Sequence, residues 1–159
     1  MATIRDGKIV EDTWQHVADG EAAPEGDVIV TLARLRQEGE ALRARAGKLG
    51  VRVGSDAIAD EIGDEVKDLA LVAIEFPKYV DGRGYTIARK LRDRFKFEGE
   101  LRAVGNVLRD QLFYMHRCGF DAYELQEGKD AEGALEAFQE FSVTYQGGSD
   151  DPRPLYRRR

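Results

Sequence analysis

The sequence predicts an α/β fold: successive βαβ units around a parallel sheet, shaped like half of a (β/α)8 barrel. Three observations carry that prediction. Short apolar runs alternate along the chain with segments whose apolar residues recur every third or fourth position. The runs return at intervals of roughly 20–30 residues, the length of a strand plus a right-handed helical crossover. Leu69-Ala70-Leu71-Val72-Ala73-Ile74-Glu75-Phe76 is almost continuously apolar, as in a strand covered on both faces. An open doubly wound sheet satisfies the same pattern and stands as the alternative. In both, ligands meet the loops that follow the C-terminal ends of the strands.

Each element has its own local reason. Gly7-Lys8-Ile9-Val10 through Trp14 reads as a turn and a short strand, and residues 22–26 as a loop. Asp27–Thr31 is the next strand. Leu32, Leu35, Ala41 and Leu42 then fit one or two helical pieces around Gly39. Leu49–Val53 is a strand ended by Gly54-Ser55-Asp56. Ile58, Ile62, Val66 and Leu69 favour a helix by their spacing. Gly63 opposes it, since glycine inside a helix costs about 1 kcal/mol relative to alanine, so an ordered loop competes there. Pro77 stops the long apolar strand, and Ile87, Leu91 and Phe95 line a helix. Glu100–Val104 is a short strand, and Asn106 is a suitable N-cap for a helix from Val107 to Arg117. Phe120–Leu125 is a strand, Asp130 caps a further helix, and residues 142–145 form a last strand.

The size, 159 residues and 17.8 kDa, suits one domain. It divides into an N-terminal strand and loop (1–26), an α/β core (27–146) and a basic tail (147–159). One cysteine excludes an intramolecular disulfide and suits a reducing compartment. No apolar run approaches bilayer length, and the first twenty residues lack a signal-peptide core. A cytoplasmic protein without membrane contact is expected. The net charge of −6 and pI near 5.1 argue against a nucleic-acid binder. The charge is segregated: residues 1–27 hold seven acidic and two basic residues, residues 83–117 nine basic and four acidic. Such a basic stretch serves internal ion pairs, solvated helix faces, or one face meant for an anion or acidic partner.

The residues able to carry chemistry are few. Phe76 to Tyr85 lies between a strand and a helix, with Lys78, Asp81 and Arg83 among glycines. It fits either a small-anion site at a helix start or a structural turn. It matches neither a Walker loop nor a dinucleotide fingerprint. Arg102, inside a strand, needs a partner if buried. Strand alternation allows it to meet Glu75 and Glu124 in an inward cluster, read as a polar site at a barrel mouth or as a structural ion-pair network. Arg109, near the next helix start, joins Arg83 and Arg102 as a possible positive site at one end of the sheet. His16, His116 and Cys118 show no ligand or nucleophile spacing, so no metal and no cofactor are expected.

Residues 74–85, Ala88-Arg89 and Leu91-Arg92, then Gly99–Gly105, Leu108-Arg109-Asp110-Gln111 and Arg117-Cys118-Gly119-Phe120-Asp121, resemble the bacterial family labelled domain of unknown function 934. Val80 and Thr86 depart from its pattern of Thr and Ser. Members are typically encoded beside siroheme sulfite reductase. The resemblance implies a role in assimilatory sulfite reduction and brings no catalytic residues with it. Two functions follow as expectations: an accessory partner, scaffold or electron-delivery adaptor of sulfite reductase or its electron donor, or a small-anion-binding enzyme acting on sulfite or a sulfur metabolite. A half barrel also leaves an unpaired sheet edge, for which a homodimer is the expected cover.

Overall fold

The structure, a computed structural model, describes residues 2–77, 82–126, 128 and 130–137. In chain order the elements are β1 (Ala2–Arg5), β2 (Lys8–Val10), β3 (Gln15–His16), β4 (Val28–Thr31), α1 (Leu32–Arg43), β5 (Leu49–Val53) and α2 (Ala59–Val66). They continue as β6 (Leu71–Phe76), α3 (Arg83–Asp93), β7 (Glu100–Gly105), α4 (Arg109–Arg117), β8 (Ala122–Leu125) and α5 (Ala131–Glu136). One curled sheet has the order β2-β1-β8-β7-β6-β5-β4-β3. Strands β3 to β8 are parallel and follow chain order without reversal, while β1 and β2 add to the β8 edge antiparallel. An unreversed order is the winding of a half barrel; a doubly wound sheet would change direction at a switch point.

The alternation along each strand decides the two faces. Val30, Val51, Val53, Val72, Ile74, Phe76, Leu101, Ala103 and Tyr123 pack with helix residues such as Leu35, Ile62, Ile87, Leu91, Leu112 and Met115 in one continuous core. The opposite, concave face has a small apolar cluster of Ile29, Leu71, Ala73 and Val104, with Trp14 against it. Its other positions include Thr3, Arg52, Glu75, Glu100, Arg102 and Glu124, with Gly50 and Ala122 among them.

The hairpin β1–β2 turns on Asp6-Gly7, both with positive φ, the conformation a two-residue hairpin of right-handed twist requires. From β2, at one edge of the sheet, the chain crosses the concave face through residues 11–14 and reaches β3 at the opposite edge. The strand therefore ends at Val10 instead of running to Trp14.

Residues 59–66 are helical despite Gly63. A Cβ there would overlap the Phe95 ring, so the glycine lets α2 close on the end of α3. Asn106 is not the cap of α4; Leu108 holds that place, and its N–H donates to Gln111 Oε1 at 3.3 Å. Asn106 instead donates its N–H to Phe76 O, just after Gly105, whose φ of 88° no branched residue would adopt easily. Asp130 does cap α5, accepting from Gly133 N at 3.0 Å. Strand β8 starts at Ala122; Asp121, placed in that strand by its sequence, instead accepts the Leu101 N–H at 2.8 Å. The expected strand at 142–145 and the basic tail lie outside the described residues. Among the described residues no helix is long and apolar enough to cross a membrane.

Arg92 ties the end of the fold opposite the strand C-termini. It donates to the carbonyls of Gly119, Phe97 and Gly99 at 2.9, 2.7 and 2.8 Å and pairs with Asp121 at 3.1 Å. Arg92→Ala should cost about 3 kcal/mol, because one carboxylate and three carbonyls lose a charged donor together. Urea denaturation measures it; a loss within experimental scatter would show these groups are satisfied without Arg92.

Candidate functional site

Parallel strands in register carry every second residue to the concave face. Ala73 faces Arg102 across β6–β7, Arg102 faces Ala122 across β7–β8, and Thr3 of β1 stands opposite Glu124. Arg102 thus lies in the middle of that face and is 0% exposed. A buried guanidinium demands partners, and it has three. Asp12, on the crossing segment, receives Nη1 at 2.7 Å and Nη2 at 3.1 Å; Glu100 Oε1 receives Nε at 2.8 Å; Glu124 Oε2 lies 3.4 Å from Nη1. Arg5 adds a second cation, 2.8 Å from Glu100 Oε2. Thr3 and the Trp14 N–H also donate to Asp12.

Toward the strand C-termini the network opens. His16 Nε2 is 2.9 Å from Glu124 Oε2 and 3.2 Å from Oε1, and Arg52 is bidentate on Glu75 at 2.6 and 3.2 Å. Thr31 donates to Asp19 Oδ1 at 2.5 Å. These side chains line a groove in two lobes, about 660 and 290 Å³, that share His16 and Arg52. The groove sits where a half barrel places ligands, at the C-terminal mouth.

Electrostatics follow the contacts. Burial works to raise Asp12, yet the Arg102 hydrogen bonds and charge, with the Trp14 N–H, hold its carboxyl below the ordinary range. Burial likewise opposes ionisation of Glu124, and its hydrogen bond to His16 and the charges of His16 and Arg102 outweigh it. Among the described residues no group of three or more His, Cys, Asp or Glu is placed to hold a metal ion.

The anticipated residues fall in several places. Glu75, Arg102 and Glu124 share the concave face; Arg102 pairs with Glu124, whereas Glu75 is taken by Arg52. Arg83, the first residue of α3, is 3.4 Å from Ser55 Oγ beside the start of α2. Arg109 donates to Gly133 O at 2.9 Å and lies 3.9 Å from Glu136, holding α4 to α5. The three arginines therefore do not gather into one positive site: each is held by a different part of the fold. Lys78 and Asp81 lie outside the described residues. Cys118 is buried at the end of α4. Asp12, Arg52 and Glu100 are not among the residues the sequence points to, and His16 enters there only as a histidine without ligand spacing. Arg52 stood in a strand with the same alternation that pointed to Arg102; Asp12 and His16 lie in an irregular segment whose path no local pattern indicates.

The family described as bacterial protein of unknown function (DUF934) matches residues 50–156. The chain belongs to this family. The DUF934 match includes Arg52, Glu75, Glu100, Arg102 and Glu124 and starts after Asp12 and His16, so the crossing segment that completes the network lies ahead of the matched region. No curated protein and no solved structure matches the chain.

Removing Arg102 as Ala should cost about 3–5 kcal/mol, since it strands three carboxylates. The depressed Asp12 and Glu124 contribute stability that is present above their unfolded values near pH 4 and lost as pH falls through their folded ones. Asp121 runs the other way. Burial pushes it up to about 6 against the pull of Arg92, so its contribution is present below about pH 4 and lost as pH rises through 6. Urea midpoints measured across the acid range should fall less steeply toward low pH in Asp12→Asn than in the wild type. Parallel curves would show that Asp12 does not carry the acid dependence.

Proposed function

We propose that the protein is an accessory of assimilatory sulfite reduction, working as a partner, scaffold or electron-delivery adaptor of siroheme sulfite reductase. The pathway comes from the family resemblance; the mode of action is supported by one surface. Tyr114 on α4 is 54% exposed and meets Tyr85 on α3 edge-on, ring centroids 4.9 Å apart, with Tyr85 in turn 5.3 Å from Phe76. Arg89 of α3 acts electrostatically on Tyr114, and its own side chain is half exposed. Burial above all pushes the Tyr85 hydroxyl up to about 12, so that phenol is neutral at physiological pH. An exposed aromatic anchored on a second ring, with a guanidinium beside it, is the composition of a protein-binding hot spot. Its positive charge suits an acidic partner.

The sulfite-binding enzyme has less support. On the concave face Arg102, Arg52 and Arg5 are each already engaged by carboxylates. The mouth groove holds Asp19, Glu21, Glu75 and Glu124 against Arg52 and His16. A free dianion would enter against that field.

The tagged protein should capture the reductase or its electron donor from sulfate-grown cells and raise reductase turnover when added back. Tyr114→Asp should weaken capture about tenfold or more, the scale of losing one aromatic anchor, without shifting thermal unfolding. Calorimetry with sulfite should show no saturable heat. Saturable sulfite binding, or absence of capture by the wild type, would overturn the accessory reading. Light scattering on the same sample tests the homodimer.

A further inference from the structure

Among the described residues Ile9, Ile58 and Tyr114 are the large apolar side chains left exposed, and two of them flank α3. Tyr114 meets Tyr85 on the α4 side. On the α2 side Ile58, 52% exposed, stands in a cleft of about 260 Å³ lined also by Ala57, Ile87, Arg83, Thr86 and Lys90. Tyr85 and Thr86, like Arg89 and Lys90, are chain neighbours about 100° apart around the helix, so each side of α3 faces one anchor. Singly exposed aliphatic residues are ordinary, but Ile58 breaks a local rule. It holds the N-cap place of α2, where Ser, Thr, Asp or Asn is favoured, and its side chain makes no cap hydrogen bond. Nor does it join the core, although Ala57 beside it packs there. An apolar residue that serves its helix neither as cap nor as core is the kind of local inconsistency that marks a functional surface.

The ridge between the anchors is cationic. Arg83, Arg89, Lys90 and Arg94 stand along it against Asp56, Asp60 and Asp93, and Asp60 is shared between Lys90 at 3.1 Å and Arg94 at 2.6 Å. The Arg89–Asp93 pair, 3.6 Å apart and half exposed, exchanges for another carboxylate at little cost. Thr86, short and exposed between the anchors, lets a partner backbone come close. The anchors are separated by the width of a helix, roughly 10 Å. Resting on the accessory reading, we propose that the docking face extends across α3 to Ile58 and takes an acidic helix of the partner protein. Two apolar side chains seven positions apart on that helix, about 10 Å along its axis, reach Tyr114 and the Ile58 cleft together. Carboxylates three and four positions along lie on the same face and meet Arg83, Arg89 and Lys90. One anchor alone fixes no direction; two fix the orientation of the bound helix across α3.

Titration of the full-length protein with a glutamate-rich helical peptide carrying two leucines at that spacing, followed by NMR, tests the face. Saturable shifts should fall on Ile58, Thr86, Arg89 and Tyr114, and a lysine-rich peptide with the same leucines should leave them unmoved. Ile58→Ser introduces a favoured N-cap residue and so should preserve α2, yet weaken binding of the acidic peptide about tenfold, the scale of one apolar anchor. Ile9→Ser, on β2 at the sheet edge, should bind like the wild type. Absence of saturable shifts, equal binding by Ile58→Ser, equal response to the lysine-rich peptide, or shifts confined to Tyr114 would overturn the two-anchor face. So would uptake by phosphatidylglycerol vesicles in place of the peptide, or self-association through the same residues. Peptide binding without capture of the reductase would overturn the reductase as partner and support the face; capture indifferent to Ile58→Ser would do the reverse.

Discussion

A guanidinium with no exposed surface, in the middle of a sheet face, is the constraint from which the rest of this architecture follows. An unpaired ion in such a place would cost several kcal/mol even after relaxation, so Arg102 can be kept only with carboxylates at hydrogen-bonding distance. Glu100 comes from the same strand and Glu124 from the neighbour, but neither takes both Nη atoms. Asp12 does, and it is ninety residues away in sequence. Bringing it there takes the chain across the concave face. That crossing separates β2 and β3 to opposite sheet edges and seats Trp14 against the apolar cluster of the concave face. A half barrel has an open interior that would otherwise expose Ile29, Leu71, Ala73 and Val104. The ion cluster and the crossing segment close it together.

The same network explains why the interior is open at one end. Toward the strand N-termini, Arg5, Glu100, Asp12 and Arg102 are paired with one another, and Arg92 binds the loop carbonyls on the helix side. Toward the C-termini the crossing segment has already reached β3, and only His16 leans back, onto Glu124. What remains between β4, β5, β6 and β8 is the groove. Its walls are held by pairs that cross strands, Arg52–Glu75 and Thr31–Asp19, and its polar floor is set by the buried cluster beneath.

Much of this was legible beforehand, and the limits have physical causes. Among the described residues, α1, α3, α4 and α5 and the strands from β4 to β8 follow from apolar periodicity, capping residues and glycine and proline punctuation, because those elements each bury a face against their chain neighbours; for α2 an ordered loop competed. Alternation also placed Glu75, Arg102 and Glu124 on a common face, since side-chain direction in a strand is local. The partners of Arg102 and Glu124 were not local. His16 meets Glu124 across 108 positions, and Asp12 sits in a segment with no period. Asn106 resembled a cap by residue type, but the positive φ of Gly105 turns the chain so that the helix starts at Arg109. Gly63 argued against a helix by propensity alone, and the close approach of Phe95 reversed that argument.

The basic stretch from Arg83 to Arg117 shows how little residue type says without burial. Arg102 and Arg92 are enclosed and their hydrogen bonds determine chain path, so substitution acts on folding. Arg89, Arg94 and Lys90 pair with Asp93 and Asp60 in solvent, at separations where such pairs are worth at most about 1 kcal/mol and are weakened by salt. Exchange of those pairs for contacts with another acidic surface costs almost nothing. Cations of the same kind that are costly to remove where they are enclosed are therefore held, on the exposed helix faces, only by weak pairs in solvent. In the accessory role proposed here, Tyr114 would supply the apolar anchor that exposed charge alone lacks, and binding on α3 and α4 would leave untouched the buried cluster that holds the sheet's concave face together.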